Sequence, residues 1–163
     1  MKEFTITSLV RQYTLEELEA KDRELVLAAK EATRSAYASY SHFLVGAAIL
    51  LDNGKIVRGS NQENAAYPSG LCAERTAAFY ASSSNPGVPF KKIAVAAWQD
   101  PGEGKDWEEG FQQKPVSPCG GCRQALAEFE HLYGKIEVLL YGREGIYVFP
   151  SVESLLPLCF VSF

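Results

Sequence analysis

Helix-forming residues begin at Leu71-Cys72-Ala73-Glu74-Arg75 and continue to Ser82. Alanine recurs along this stretch, and side chains that small allow a helix backbone to lie close against a sheet. A second cluster, Pro118-Cys119-Gly120-Gly121-Cys122, opens another predicted helix. Cysteines thus lie at two predicted helix starts, one at the first and two at the second, and a glutamate follows the first cysteine by two residues.

The three cysteines and the glutamate are together typical of a catalytic zinc site. A structural zinc site closes its tetrahedron with protein ligands, whereas a catalytic site uses three and keeps the fourth position for water. Helix starts also favour thiolates, because their unpaired N–H groups and the helix dipole attract negative charge. The alternatives are a structural zinc site or buried apolar thiols. We predict that Cys72, Cys119 and Cys122 bind the metal and that Glu74 stays unligated.

Length and composition predict one domain, residues 1–163, with residues 1–13 as an N-terminal arm. The chain has 163 residues and 47% hydrophobic content, both ordinary for a single globular domain. Its net charge of −4 and pI near 5.3 argue against a nucleic-acid-binding surface, which needs clustered basic residues. We therefore expect a small-molecule substrate and no nucleic-acid partner.

Nothing in the sequence indicates a membrane or secreted protein. No stretch approaches the ~20 apolar residues of a membrane helix, and the N-terminus lacks the pattern of a secretory signal. Without that signal, the C-x-x-C spacing favours reduced, metal-binding thiols over disulfides. We expect a cytoplasmic protein.

Apolar patterns predict helices that alternate with strands. Capping-box spacing at Thr14–Glu17 opens a first helix whose apolar positions recur up to Tyr37. Strands are predicted at 43–51, 56–58, 92–98, 136–141 and 146–149, and further helices at 71–82 and from Cys119 onward. This alternation is typical of an α/β layer structure.

The linker between the last two predicted strands determines their relative direction. Only Gly142-Arg143-Glu144-Gly145 separates them, and a parallel crossover needs a dozen or more residues. The two strands must therefore be antiparallel. We predict a mixed sheet of five strands whose last strand is antiparallel to its neighbour.

Several motifs resemble those of the nucleoside cytidine deaminase family. They are Asn61–Tyr67, Cys72–Arg75 and Pro118–Gln124, with Phe43–Ala48 upstream and Leu155–Pro157 near the C-terminus. The resemblance runs from about Tyr37 to Phe160, in the family's order. It implies a three-layer α-β-α, cytidine-deaminase-like fold. In this superfamily a closing antiparallel strand pair is typical of nucleoside deaminases, whereas polynucleotide deaminases have a parallel pair.

The resemblance also implies the activity, the cofactor and the assembly. It implies zinc-dependent hydrolysis of cytidine and deoxycytidine to uridine and deoxyuridine plus ammonia, in pyrimidine salvage, with one Zn²⁺ per subunit. Glu74 would take a proton from the attacking water and deliver protons to N3 of the pyrimidine and then to the departing ammonia. Family members with three cysteine ligands are usually homotetramers, so we expect active sites shared between subunits.

The resemblance implies that five further residues contact the nucleoside. Asn61 and Glu63 would bind the ribose, and Phe43 would pack beside the nucleoside. Tyr67 would approach the ribose from a neighbouring subunit, and Phe160 would stack on the base across a subunit contact. As alternatives, the aromatic residues could be ordinary core or interface side chains, and Glu63 could be a solvated loop carboxylate.

Charge balance suggests a role for two arginines. Three thiolates carry more negative charge than a zinc ion cancels, and this excess weakens the Lewis acidity of the metal. Arg75 and Arg123 each directly follow a cysteine cluster. We hypothesise that one or both guanidinium groups donate hydrogen bonds to the zinc-binding sulfurs.

Other interpretations stay open from the sequence. One is deamination of a modified cytosine nucleoside of the antibiotic type, and another is a non-catalytic binding module stabilised by zinc. We expect the segment 101–114 to be a surface loop that Trp107 and Phe111 anchor. As an alternative, it could line the rim of the pocket or a subunit interface. Cys159 lacks a ligand partner nearby and is predicted to be a small buried hydrophobic residue.

Overall fold

The computed structural model describes residues 1–161, which form one mixed β-sheet with helices on both faces. The strands are β1 (Arg11–Tyr13), β2 (Phe43–Leu51), β3 (Ile56–Ser60), β4 (Phe90–Gln99), β5 (Glu137–Gly142) and β6 (Gly145–Phe149). The helices are α1 (Ala20–Ala32), α2 (Ala73–Ser84) and α3 (Gly120–Tyr133). Across the sheet the strands follow the order β1-β6-β5-β4-β2-β3. Within the described part of the chain, every helix is too short or too polar to span a membrane.

The strand directions make the sheet mixed. β2 pairs antiparallel with both β3 and β4, whereas β4 and β5 run parallel because α3 lies in the connection between them. β5 and β6 are antiparallel, and their pairing ends with Gly142 opposite Gly145. The direction predicted from the short linker is confirmed, and so is the α/β fold class.

The described sheet has six strands instead of the five predicted, because β1 extends it at one edge. β1 pairs antiparallel with β6, from Arg11 opposite Val148 to Tyr13 opposite Ile146. A strand of three residues is too short for a periodic pattern to reveal it. The end of the predicted N-terminal arm therefore belongs to the sheet.

The first helix is shorter than predicted. Thr14 and Glu17 exchange the expected capping contacts: Thr14 N–H donates to Glu17 Oε2 (2.8 Å) and Glu17 N–H donates to Thr14 Oγ1 (3.4 Å). These contacts close a turn, and α1 begins only at Ala20. The predicted extension to Tyr37 is wrong, because the backbone is already extended at Ala36 (φ −67°, ψ 138°).

Both faces of the central strands are buried, and alternate residues face different helices. Ala47, Ile49 and Leu51 of β2 pack in a cluster with α2 and α3. Ala48 and Leu50 pack in a second cluster with α1. The structure therefore has the predicted three layers, with α1 on one side of the sheet and α2 and α3 on the other.

The segment 101–114 packs on the α1 side of the sheet. Trp107 stacks on Trp98 of β4 with ring centroids 4.0 Å apart, and the guanidinium of Arg34 lies 4.2 Å from the Trp107 ring centroid. Phe111 is buried in the cluster that includes α1. These contacts support the interpretation of a surface loop that its aromatic residues anchor.

Two glycines allow the helices to approach the strands closely. A Cβ atom at Gly59 of β3 would lie 2.4 Å from the backbone nitrogen of Ala77 in α2. A Cβ atom at Gly46 of β2 would lie 2.1 Å from the carbonyl oxygen of Ala29 in α1. Both distances are far below van der Waals contact, and backbone atoms cannot move aside as a flexible side chain can. The missing side chain at Gly59 therefore sets the position of α2.

Gly59→Ala is expected to lower the free energy of unfolding by about 2 kcal/mol or more, because the added methyl group pushes α2 away from β3. Urea unfolding followed by circular dichroism measures this change. The matched control is Arg58→Ala, which truncates an exposed side chain one position earlier in β3. The control should change stability by less than about 0.5 kcal/mol. A Gly59→Ala protein as stable as the native chain would contradict the close packing.

Candidate metal centre and active site

Three cysteine sulfurs converge at the starts of α2 and α3. Cys72 directly precedes α2, Cys119 directly precedes α3, and Cys122 lies in the first turn of α3. Their Sγ atoms all lie within 4.8 Å of one another, and those of Cys72 and Cys119 are 3.8 Å apart. Because α2 and α3 pack on the same face of the sheet, their starts can bring side chains distant in sequence to one point.

The sulfur positions fit one tetrahedral zinc ion. With Zn–S distances of about 2.3 Å, two sulfurs at neighbouring corners of the tetrahedron are about 3.8 Å apart. The cysteines are free thiols, with Cys122 buried and Cys119 exposed, so the cluster is open to solvent on one side. A site with three protein ligands leaves the fourth tetrahedral position for water. The donor set and its spacing therefore suit an open zinc site.

The surroundings of Cys119 and Cys122 affect their ionisation in opposite directions. Burial, together with the nearby Glu74 carboxylate, raises the pKa of the Cys122 thiol. Burial opposes ionisation of Cys119 as well, but hydrogen bonds from the backbone and side chain of Cys122 outweigh it and lower the pKa of Cys119. Ionisation of the Cys122 thiol is therefore unfavourable without a nearby positive charge. A divalent cation between them supplies the missing positive charge.

Glu74 lies in the first turn of α2, and only 4% of its surface is exposed. Burial raises the pKa of the Glu74 carboxyl, although hydrogen bonds from its own backbone N–H and from Cys122 act in the opposite direction. A carboxyl group with a raised pKa is suited both to accept and to donate a proton near neutral pH. The structure thus places a buried carboxyl group beside the sulfur cluster.

Arg75 contacts the sulfur cluster directly. Its Nη2 group donates to Cys72 Sγ at 3.7 Å, and this contact raises the pKa of the Arg75 guanidinium. Its Nε atom is buried and has no hydrogen-bond partner among residues 1–161. The guanidinium therefore occupies the position hypothesised from the sequence for a group that disperses the negative charge of the sulfurs.

Arg123 is hydrogen-bonded to oxygen atoms and not to a sulfur. Its Nε donates to the Pro118 carbonyl (2.8 Å), and its Nη1 donates to the Leu155 carbonyl (2.8 Å). Its Nη2 donates to Ser117 Oγ (2.9 Å). The two arginines that follow the cysteine clusters thus differ: Arg75 contacts a ligand sulfur, and Arg123 holds the loop that leads to Cys119.

A cleft of about 510 Å³ opens beside Cys72 and Arg75. Glu63 lies in its wall, and Glu63 Oε2 accepts hydrogen bonds from the backbone N–H groups of Tyr40 (2.8 Å) and Ser41 (3.3 Å). Hydrogen bonding from the Ser41 side chain, and then from the Tyr40 backbone, lowers the pKa of Glu63. No sequence pattern indicates these partners, because every residue except proline carries a backbone N–H.

Asn61 also lines the cleft, and its amide holds the start of β2. Asn61 Oδ1 accepts from the Val45 N–H (2.8 Å), and Asn61 Nδ2 donates to the Phe43 carbonyl (2.9 Å). Phe43 is half-buried at the first position of β2. An amide oxygen has two lone pairs and an amide nitrogen has two hydrogens, so Asn61 can bind a ligand in addition.

Tyr67 and Phe160 are both largely exposed, at 77% and 61%. Tyr67 lies in the wall of the cleft, and its ring is 6.1 Å from that of Tyr40 in an edge-on arrangement. Phe160 lies near the C-terminus, where its backbone is hydrogen-bonded to Gln124 of α3. Both residues therefore have most of their surface uncovered in the single chain.

A larger cleft, of about 910 Å³, lies along β3 and contains none of the predicted site residues. Its walls come from the end of α1, from β3 and from the outer side of α2. The size of a cleft therefore does not locate the site in this molecule, whereas the cysteine sulfurs do.

Comparisons with known proteins agree with this geometry. Residues 19–136 match the family model described as the cytidine and deoxycytidylate deaminase zinc-binding region. That range includes all three clustered cysteines and Glu74.

Individual relatives match over most of the chain. A cytidine deaminase from Sporosarcina psychrophila is 44% identical over 135 residues, which cover 82% of this chain and 87% of the relative. One from Halalkalibacterium halodurans is 37% identical over 142 residues, which cover 86% of this chain and 96% of the relative. The crystal structure of cytidine deaminase from Burkholderia pseudomallei superposes with a TM-score of 0.69 at 38% identity, over 84% of this chain and 97% of that one. The chain therefore belongs to the zinc-binding cytidine and deoxycytidylate deaminase family.

Proposed function

We propose that this chain is a zinc-dependent hydrolase that converts cytidine and deoxycytidine to uridine and deoxyuridine with release of ammonia, in pyrimidine salvage. The observation that carries the proposal is the set of three cysteine sulfurs within 4.8 Å of one another, beside the buried carboxyl of Glu74. The cytidine deaminases to which the chain is similar support the substrate class. A net charge of −4 also favours a small nucleoside over a polynucleotide.

Cys72, Cys119 and Cys122 would hold the zinc ion. When bound there, the ion supplies Lewis-acid activation of water at neutral pH. Arg75 donates its hydrogen bond to Cys72 Sγ and so reduces the negative charge on the sulfurs. The positive ends of the α2 and α3 dipoles act in the same direction. These contributions offset the excess charge of three thiolates.

Glu74 moves the protons of the reaction. As a base it removes a proton from the attacking water, whose oxygen forms a bond to C4 of the cytosine ring. As an acid it delivers that proton to N3. It then takes the remaining proton from the hydroxyl formed on C4 and passes it to the amino group, so that the bond from C4 to the amino nitrogen breaks, the C4 carbonyl forms and ammonia leaves. The raised pKa that burial gives Glu74 suits both directions of proton transfer.

The cleft beside Cys72 would bind the sugar. Glu63, held in place by the backbone of Tyr40 and Ser41, can accept hydrogen bonds from ribose hydroxyls. Asn61 can both donate to and accept from them. Since Asn61 also holds the Phe43 carbonyl at 2.9 Å, it positions the aromatic residue that would pack beside the nucleoside.

The proposed assembly is a homotetramer with shared active sites, located in the cytoplasm. Large aromatic side chains that are mostly exposed in one chain, such as Tyr67 and Phe160, are commonly covered at interfaces. Tyr67 would reach the ribose bound by a neighbouring subunit, and Phe160 would stack on a base across a subunit contact. A cytoplasmic location agrees with the free thiol state of the cysteines.

Glu74→Gln should retain its zinc and lose cytidine turnover by roughly 10²–10⁴-fold, because an amide cannot take up and deliver the proton. The decrease in cytidine ultraviolet absorbance measures turnover, and metal analysis of the same sample measures zinc. The matched control is Glu128→Gln, an exposed glutamate on α3, which should keep both near native values. A Glu74→Gln protein with native turnover rules out the proton-transfer role.

Shared sites predict that two impaired variants restore each other in mixed assemblies. Glu74→Gln lacks the proton-transfer group, and Tyr67→Ala lacks the ring that would reach a neighbouring site. Co-expressed chains should form some sites with both native residues, so activity should exceed the sum of the separate variants several-fold. Light scattering of the native protein should show four chains per particle. Mixtures no more active than that sum, or a fully active monomer, would contradict the shared assembly.

A further inference from the structure

The end of the C-terminal segment is fastened to the helix turn that carries Cys122. Gln124 Oε1 accepts from the Phe160 N–H at 3.3 Å, and Gln124 Nε2 donates to the Phe160 carbonyl. One side-chain amide thus pairs with both polar backbone groups of one residue, as a neighbouring β-strand would. Because Gln124 follows Cys122 by two residues, a single turn of α3 links the sulfur cluster to Phe160.

Arg123 fastens the middle of the same segment. Its Nη1 donates to the Leu155 carbonyl (2.8 Å), and its two other bonds go to the residues that precede Cys119. A guanidinium makes several hydrogen bonds in fixed directions at once, which a lysine ammonium on a flexible stem does not. Arg123 therefore holds the loop before Cys119 and the C-terminal segment in one arrangement.

Glu130 holds the beginning of the segment, farther along α3. Glu130 Oε2 accepts from the Val152 N–H (2.8 Å), and Glu130 Oε1 accepts from the Glu153 N–H (2.8 Å). Residues seven apart in a helix, such as Arg123 and Glu130, lie on nearly the same side of it. The C-terminal segment therefore follows α3 from Val152 back toward the turn that carries the metal-binding cysteines.

We propose that Gln124 and Arg123 are positioning residues that fix the backbone carrying the Phe160 ring, which would stack on a base across a subunit contact. The stacking role of Phe160 rests on the proposed function, whereas the attachment of the segment rests on the contacts above. A ring that is already in place loses less conformational entropy when substrate binds. Loss of the attachment should therefore weaken substrate binding and leave the chemical step nearly unchanged.

Gln124→Met tests the attachment, because it keeps the length of the side chain and removes both hydrogen bonds to Phe160. We expect carboxypeptidase to release C-terminal residues about tenfold faster than from the native protein, as the loss of two hydrogen bonds implies. Zinc content should stay native. The matched control is Gln113→Met, which replaces an exposed glutamine and should be digested at the native rate. Equal digestion of Gln124→Met and native protein would overturn the proposal.

Kinetics distinguish positioning from a merely structural role. Gln124→Met should raise KM for cytidine about tenfold and change kcat less than about twofold, because stacking of a base on an aromatic ring contributes mainly to binding. Phe160→Ala should do the same. If Gln124 acts through Phe160, the double variant should be no worse than Phe160→Ala alone. Effects that multiply in the double variant would overturn the positioning role.

The two experiments separate this proposal from the proposed function. An unchanged KM in Phe160→Ala would refute stacking on the base, and the digestion of Gln124→Met would still decide the attachment. Arg123→Lys provides a second variant with the charge retained. Its digestion rate should rise above native, because one ammonium cannot reach the three oxygens that the guanidinium contacts. Native digestion of Arg123→Lys would remove Arg123 from the proposal.

Discussion

Three sulfurs held close together repel one another when they ionise, and the groups around them offset that repulsion. Their Sγ atoms lie within 4.8 Å of one another, so their ionisation at neutral pH requires compensating charge. The starts of α2 and α3 direct helix dipoles at the sulfurs, and Arg75 donates to Cys72 Sγ at 3.7 Å. A divalent cation completes the balance. The packing of the helices matters for the same reason, since a small shift of α2 away from Gly59 would separate Cys72 from the other two sulfurs.

Glu74 and Cys122 illustrate how the site couples metal binding to proton transfer. Burial raises the pKa of both groups, and the negative charge of Glu74 further opposes ionisation of the Cys122 thiol, whereas a hydrogen bond with Cys122 acts to lower the pKa of Glu74. A cation bound by the sulfurs relieves this opposition for the thiol, while Glu74 remains buried and unligated. In the proposed mechanism, this buried carboxyl beside the sulfurs would exchange protons with the attacking water and the substrate.

The sequence was sufficient to predict two kinds of feature: those that depend on the length of a short linker, and those that depend on the few residue types that can bind zinc. No crossover fits the linker at Gly142–Gly145, so the antiparallel direction of the last strands followed from the sequence. Zinc chemistry restricts the possible ligands, and the cysteine spacing therefore indicated the site. β1 was not predicted, because a strand of three residues has no period and its pairing depends on the distant β6 edge. The partners of Arg123 and Glu63 were also missed, since contacts from side chain to backbone carry no residue-type signal.

In the proposed metal site, three sulfurs hold one zinc ion and leave its fourth position to water. X-ray absorption at the zinc edge, recorded on the purified native protein, measures the number and type of the ligand atoms directly. We expect three sulfur neighbours at about 2.3 Å and one oxygen neighbour at about 2.0 Å. A fourth sulfur, or a protein nitrogen in place of the oxygen, would show a closed structural site and rule out the open zinc site.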